Sequence, residues 1–151
     1  MKIALGADHG GVELKEKVKS YLEKMGLQRH RHEVKDMGND RLDPVDDFTD
    51  FAHLVASAVS KGEYEMGILF CTTGGGMCIA ANRYSGIRAI ECRNAKEVEK
   101  ARSHNGMNIL VMGSEFVQAS EAERMVDAFL STEALDGKYE RRRQKIDKPC
   151  E

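Results

Sequence analysis

The 151-residue sequence has no excess of either charge, because 23 basic and 25 acidic side chains give a formal net charge of −2. A basic surface of the kind that binds nucleic acid is therefore not expected. No apolar run approaches the ~20 residues that a membrane helix needs. The N-terminal residues also turn polar too early for a secretory signal. These absences predict a cytoplasmic protein with one domain over residues 1–151.

Metal and redox motifs are missing as well. The four cysteines, Cys71, Cys78, Cys92 and Cys150, include no C-x-x-C pair, which argues against a zinc knuckle or a dithiol redox site. Since nothing signals secretion, reduced thiols are expected. The five histidines lack the spacing of metal ligands, and neither a metal nor another cofactor is predicted.

Apolar patterns alternate between strand and helix along the chain. The predicted strands are 2–6, a segment within 27–34, 66–71, 87–91 and 108–112. The predicted helices are 12–25, ended by Gly26, then 48–60, 77–84, 95–104, 121–130 and 138–145, with a polar loop at 36–47. This alternation predicts an α/β fold with a parallel sheet and helices on both faces.

Ligands of such sheets bind beyond the carboxyl ends of the strands. Those ends carry Asp8-His9, the segment 71–76 (Cys-Thr-Thr-Gly-Gly-Gly) and Gly113-Ser114-Glu115. The segment 71–76 follows a buried strand and opens a helix, so its glycine amides are suited to face an anion. It lacks the lysine of a P-loop and the spacing of a dinucleotide-binding loop. A plain strand-to-helix turn is the alternative interpretation.

Three further features carry possible chemistry. Cys71 lies near a helix N-terminus, which can lower a thiol pKa toward neutrality and allow it to act as a base or nucleophile; a buried small apolar residue is the alternative. Asp8-His9 is suited to proton transfer or to orienting a sugar hydroxyl, or is structural. The third feature is the basic run 138–145, which binds phosphate or is a solvated helix face.

Taken in order along the chain, these motifs resemble one family, the sugar-phosphate isomerases that include ribose-5-phosphate isomerase type B and galactose-6-phosphate isomerase. The residues that carry the resemblance span nearly the whole chain: Lys2-Ile3-Ala4, Asp8-His9, Gly67-Ile68-Leu69, Cys71 with its glycine loop, Ile79-Ala80-Ala81-Asn82-Arg83, Gly86-Ile87-Arg88-Ala89, Arg102-Ser103-His104-Asn105, Asn108-Ile109-Leu110 and Gly137 with Arg141-Arg142. The resemblance implies a Rossmann-like three-layer sandwich with a five-stranded parallel sheet. It also implies cofactor-free aldose–ketose isomerisation of a sugar phosphate, by default ribose 5-phosphate, through a cis-enediolate.

Residue roles follow from the same resemblance. The implied catalytic residues are the base Cys71, its assistant Thr73, the ring-opening acid/base His104 and Asp8. The implied substrate-binding residues are His9, Thr72, Gly74, Gly75, Gly76, Asn105, Lys138 and Arg142. A homodimer, or a tetramer of two such dimers, is implied too. In this dimer the basic C-terminal helix at about 137–147 packs on the partner subunit. This helix and His9 contribute to the site at the partner's Cys71 loop.

The chain also departs from the family pattern. Thr72 replaces a glycine of the loop, Glu115 stands where an arginine is usual, and Tyr139 replaces a histidine. Two tyrosines of the family are Phe48 and Phe51 here. Glu115 motivates one alternative function, the same chemistry on a non-phosphorylated or different pentose or hexose. A second alternative is a non-catalytic or partner subunit of a hetero-oligomeric isomerase.

Overall fold

The structure, a computed structural model, describes residues 1–29, 32–39 and 43–148. The strands are β1 (Lys2–Ala7), β2 (Glu33–Asp36), β3 (Met66–Cys71), β4 (Ala89–Glu91) and β5 (Ile109–Gly113). The helices are α1 (Val12–Arg29), α2 (Phe48–Ser60), α3 (Gly75–Ala81), α4 (Ala95–Asn105), α5 (Ala119–Ser131) and α6 (Lys138–Ile146). No helix in the described ranges is long and apolar enough to cross a membrane.

The five strands form one sheet in the order β2-β1-β3-β5-β4, and all neighbouring strands are parallel. Helices α1, α4 and α5 pack on one face of the sheet, and α2 and α3 pack on the other. This confirms the predicted Rossmann-like three-layer sandwich. Because the chain leaves β1 toward β2 and then returns to pair β3 on the other side of β1, the crevice between β1 and β3 is a topological switch point.

Burial explains why the strands lie where they do. Every residue of β3 and β5 is buried, as expected for central parallel strands covered on both faces. β2 is an edge strand and alternates between exposed and partly buried residues. Glu33 begins β2, so this strand overlaps the predicted 27–34 segment only at its end.

Several element boundaries were predicted wrongly: the end of α1, both ends of α3, and the starts of β4 and α5 differ by two residues or more. Helix α1 continues through Gly26 to Arg29, and Gly26 is not among the glycines with positive φ. A helix interior tolerates glycine at a cost of about 1 kcal/mol, so the residue does not end this helix. Helix α3 begins at Gly75 and ends at Ala81, two residues earlier than predicted at its start, because the chain already turns helical within the glycine loop.

Three thiols are described, and all three are free: Cys71, Cys78 and Cys92. Cys150 lies outside the described residues. Cys78, expected in the core, is partly buried, and its Sγ donates a hydrogen bond to the Ala89 carbonyl (3.3 Å). Cys92 is 1% exposed, and burial raises its pKa to about 12. It is therefore an inert packing residue.

Candidate active site

The loops that follow β1, β3 and β5 are joined to one another by backbone and hydroxyl contacts. The Asp8 amide donates to the Phe70 carbonyl (3.3 Å), and the Ser114 amide donates to the Cys71 carbonyl (2.9 Å). The Ser114 hydroxyl donates to the Gly10 carbonyl (2.7 Å). The predicted meeting of these strand ends is therefore present, and it brings Asp8, Cys71 and the glycine loop to one edge of the sheet.

Cys71 ends β3 directly below the glycine loop. Its side chain is 5% exposed, and its Sγ accepts a hydrogen bond from the Gly74 amide at 2.9 Å. Gly74 has a φ of +93°, a conformation that L side chains rarely adopt. A Cβ at this position would also lie 2.8 Å from Cγ of Glu91. The bend that aims this amide at the sulfur thus requires glycine.

The pKa of Cys71 moves in the direction opposite to the one predicted. Burial raises the pKa of the thiol, and the nearby Asp8 carboxylate adds to the rise. The amides of Gly74, Thr73 and Met77 oppose this shift, as donors to a thiolate do. In the protomer alone burial outweighs the amides, so the thiol keeps its proton at neutral pH.

The glycine loop leads directly into α3. Gly75 and Gly76 form the first turn of this helix, where amides have no partner within the helix and favour anions. A Cβ on Gly76 would lie 2.7 Å from the ring of Phe48, so the Phe48 ring closes one side of the loop. Thr73 is exposed at the mouth of the loop.

Thr72, the residue that replaces a family glycine, is accommodated by a second glycine. A Cβ on Gly10 would lie 2.1 Å from the Thr72 hydroxyl oxygen. The Thr72 side chain therefore lies against the β1–α1 loop, in space that any residue larger than glycine at position 10 would fill. The Thr72 carbonyl also accepts a hydrogen bond from the amide of the exposed Glu115 (3.1 Å).

Asp8 is a buried carboxyl at the switch point. It is 6% exposed, and its Oδ1 accepts a hydrogen bond from the Gly11 amide (3.0 Å). Burial raises its pKa. His9 follows in the same loop, so the structure places it at the edge that holds Cys71 of its own protomer. Its Nδ1 lies 2.5 Å from Oδ1 of Asp46.

The remaining predicted residues lie near the amino ends of the strands, on the opposite side of the sheet from Cys71. His104 and Asn105 end α4, just before β5 begins, whereas Cys71 pairs with Gly113 where β5 ends. Five strand residues span about 15 Å. His104 and Cys71 of one protomer therefore cannot act on the same sugar carbon.

Helix α6 packs beside His104 at the amino ends of the strands. The Tyr139 ring stacks on the His104 imidazole with centroids 4.5 Å apart and planes 22° apart. The guanidinium carbon of Arg142 lies 6.0 Å from the Tyr139 ring, and Lys138 Nζ lies 5.2 Å from it. His104, Lys138 and Arg142 thus gather around the Tyr139 ring next to Asn105, apart from the Cys71 loop.

Sequence reasoning missed two residues near the Cys71 loop. Glu91 ends β4, its side chain packs against Gly74, and it pairs with Arg93 (3.5 Å). The rule that ligands bind at carboxyl strand ends is the signal that identifies it. Asp46 lies in the polar 36–47 loop and has no signal of its own. Within the described ranges, no group of three or more His, Cys, Asp or Glu is arranged to hold a metal ion.

Comparison with known proteins decides the family. The ribose/galactose isomerase family model matches residues 3–146. The chain belongs to this family. The protein named "probable ribose-5-phosphate isomerase B" from Mycoplasma pneumoniae is 39% identical over 144 residues, which cover 95% of this chain and 91% of the relative.

Solved structures agree with this membership of the ribose/galactose isomerase family. A ribose 5-phosphate isomerase from Thermotoga maritima is 46% identical, with a TM-score of 0.90 over 97% of both chains. Ribose-5-phosphate isomerase B from Mycoplasma genitalium, solved with bound ribulose 5-phosphate, is 37% identical, with a TM-score of 0.90 over 97% of this chain and 93% of that one. The predicted family is thus confirmed, and the chain is an aldose–ketose isomerase of sugar phosphates.

Proposed function

We propose that this isomerase interconverts D-ribose 5-phosphate and D-ribulose 5-phosphate. Support comes from its likeness to ribose-5-phosphate isomerases B, one of them solved with ribulose 5-phosphate. The observation that carries the proposal is the Cys71 sulfur held by the Gly74 amide at the switch point beside Asp8. This arrangement combines a proton acceptor with donors for an oxyanion, the two elements that an enediolate reaction needs.

In the proposed reaction His104, with Asn105 beside it, first opens the sugar ring: it takes the proton of the C1 hydroxyl and delivers a proton to the ring oxygen as the bond between C1 and that oxygen breaks. The Cys71 thiolate then removes the proton on C2 of the open-chain aldose, and a cis-enediolate forms. The Cys71 thiol returns this proton to C1, while the proton on the C2 hydroxyl moves to the C1 oxygen. No atom or electron is gained or lost, and the product is the ketose.

The loop after β3 stabilises the enediolate in this scheme. Amides of Gly75 and Gly76 donate to the oxyanion, assisted by the Thr73 hydroxyl, while the Gly74 amide holds the Cys71 sulfur and Thr72 lies against Gly10. Losing one donor of this kind typically costs about 10²–10³-fold in rate. Because burial raises the pKa of Cys71, the reactive thiolate becomes more abundant as the pH rises.

The two separate clusters support a site shared between subunits. We assign the Cys71 loop, Asp8 and His9 to one subunit, and His104, Asn105, Lys138 and Arg142 to its partner. A twofold dimer that places α6 against the partner's loops brings the clusters together twice. Helix α6 has no buried residue in the single protomer, so it is available for such packing. Lys138 and Arg142 of the partner subunit would then join His9 at the substrate phosphate.

Turnover of ribose 5-phosphate, D-ribose and galactose 6-phosphate by the purified homomer tests this function. Ribose 5-phosphate should exceed D-ribose in kcat/KM by at least about 100-fold, because each charge-assisted hydrogen bond to phosphate contributes about 1.5–3 kcal/mol. Equal turnover of D-ribose would instead support a non-phosphorylated substrate. A homomer that is inert with all three sugars would support the partner-subunit alternative.

A further inference from the structure

A carboxylate that no predicted role includes holds the imidazole of His9. His9 Nδ1 lies 2.5 Å from Oδ1 of Asp46. The Asp46 side chain is 8% exposed and the His9 side chain is 40% exposed. A carboxylate can only accept a hydrogen bond when ionised, so Nδ1 carries the proton that is shared with Asp46. The exposed remainder of the imidazole, including Nε2, is left for a ligand.

The second oxygen of Asp46 is also bound. Asn39 Nδ2 donates to Asp46 Oδ2 at 2.6 Å. Asn39 is itself fixed through its main chain. Its backbone amide donates to the Ala7 carbonyl (2.9 Å), and its backbone carbonyl accepts from Nζ of the buried Lys15 (2.8 Å). The Asp46 carboxylate is thereby tied at both oxygens to the end of β1, and it cannot rotate away from His9 without breaking these bonds.

We infer that Asp46 is a positioning residue for the substrate phosphate: it fixes the His9 imidazole through Nδ1 and leaves Nε2 to contact the phosphate. This inference rests on the proposed function, in which His9 binds the phosphate end of the sugar. It assigns to the 36–47 loop a role in substrate affinity, distinct from proton transfer at Cys71.

The charges around His9 agree with this role. Its hydrogen bond to Asp46 raises the pKa of His9, and the charges of Asp46, Asp8 and Asp43 add to the rise. Burial alone would raise the pKa of Asp46, but the hydrogen bonds from His9 and Asn39 lower it overall. Both shifts favour the imidazolium–carboxylate form of the pair. Hydrogen bonds from a cation to phosphate are about twice as strong as neutral ones.

Asp46→Asn is the matched substitution, because it keeps an acceptor oxygen for Nδ1 and removes the charge; its new Nδ2 replaces the oxygen that accepts from Asn39, whose side-chain amide flips to accept instead. Asp43→Asn is the control, since it removes the same charge from the same exposed loop without touching His9 directly. Two readouts are needed on each protein. One is the NMR titration of the His9 ring, and the other is KM and kcat for ribose 5-phosphate between pH 6 and pH 9.

The inference predicts that His9 titrates above the ordinary value of about 6.5 in the wild-type protein and falls toward it in D46N. At pH 6 His9 is protonated in both proteins and their KM values agree. At pH 8 the KM of D46N rises about tenfold while kcat and the turnover of D-ribose stay unchanged. D43N shows a much smaller shift in both readouts.

Several results would overturn the inference. One is a wild-type His9 that titrates at or below 6.5, which needs no variant to fold. Another is a D46N protein with a raised KM at every pH but an unshifted His9 titration, which indicates a structural role only. If ribose 5-phosphate is not turned over at all, the proposed function fails. The His9 titration with and without inorganic phosphate then still decides the role of Asp46.

Discussion

The backbone amide of Gly74 donates a hydrogen bond to the sulfur of Cys71 across 2.9 Å. The bend at Gly74, with its φ of +93°, aims this donor at a thiol that β3 delivers to the sheet edge. A thiolate that is stabilised by a fixed amide, next to further amides of a helix N-terminus, is suited to move a proton while an oxyanion develops nearby.

Cys71→Ala should lower kcat for ribose 5-phosphate by about 10²–10⁴-fold, the usual contribution of a positioned base. Cys78→Ala is the control, because that thiol lies within α3, donates to the Ala89 carbonyl and accepts from Asn82 Nδ2, with no contact to the Cys71 sulfur among its hydrogen bonds. It should keep a rate close to wild type. Steady-state kinetics on both proteins provide the comparison, and a C71A enzyme with full activity would remove Cys71 from the reaction.

Asp8→Asn should lower the pKa of Cys71. The Asp8 charge raises the pKa of this thiol, and asparagine removes the charge while keeping an acceptor for the Gly11 amide. Thiolate absorbance at 240 nm, with C71A as the blank, measures the titration. The wild-type thiol should titrate above the ordinary value of about 8.5 and D8N below the wild type. A D8N pKa at or above the wild-type value would contradict the charge assignment.

Gly10→Ala should destabilise the protein because the added Cβ meets the Thr72 hydroxyl oxygen at 2.1 Å. Overpacking of this kind costs about 1–3 kcal/mol. Thr72→Ala in the same background removes that atom and should recover part of the loss. Urea denaturation of the two single variants and the double variant measures the coupling. Strictly additive free energies of unfolding would show that the two residues do not share this space.

Tyr139→Leu should lower kcat several-fold by releasing the His104 ring, since an aromatic stack contributes about 0.5–1.5 kcal/mol. Tyr139→Phe keeps the ring that stacks on His104 and should remain near wild type. Kinetics at a saturating concentration of ribose 5-phosphate separate the two variants. A Y139F enzyme as impaired as Y139L would place the effect on the hydroxyl group instead.

Local patterns made most of the fold predictable. Continuous apolar runs identified β3 and β5. The apolar stripe of α2 predicted both ends of that helix correctly. The rule on carboxyl strand ends brought Asp8, Cys71 and the glycine loop to one edge. Gly26 misled the prediction of α1, because residue type alone does not reveal whether a glycine adopts a positive φ.

The site was less predictable because its geometry is set by tertiary contacts. A helix N-terminus predicts a lowered pKa for Cys71, but burial and the Asp8 charge reverse the direction. Asp46 contacts His9 across 37 positions of sequence, and the polar residues around Asp46 have no periodic pattern. Thr72 replaces a family glycine, and the space it needs is provided by Gly10 in another loop, which no local pattern reveals.

The most direct test of the account is complementation between two inactive variants, C71A and His104→Ala. When differently tagged C71A and H104A chains are co-expressed, the account predicts that hybrid dimers regain activity. In a twofold dimer with shared sites, random pairing leaves about a quarter of the sites intact, and about a quarter of the wild-type activity should return. Purified hybrids as inactive as both parents would contradict a site built from the Cys71 loop of one subunit and His104 of the other.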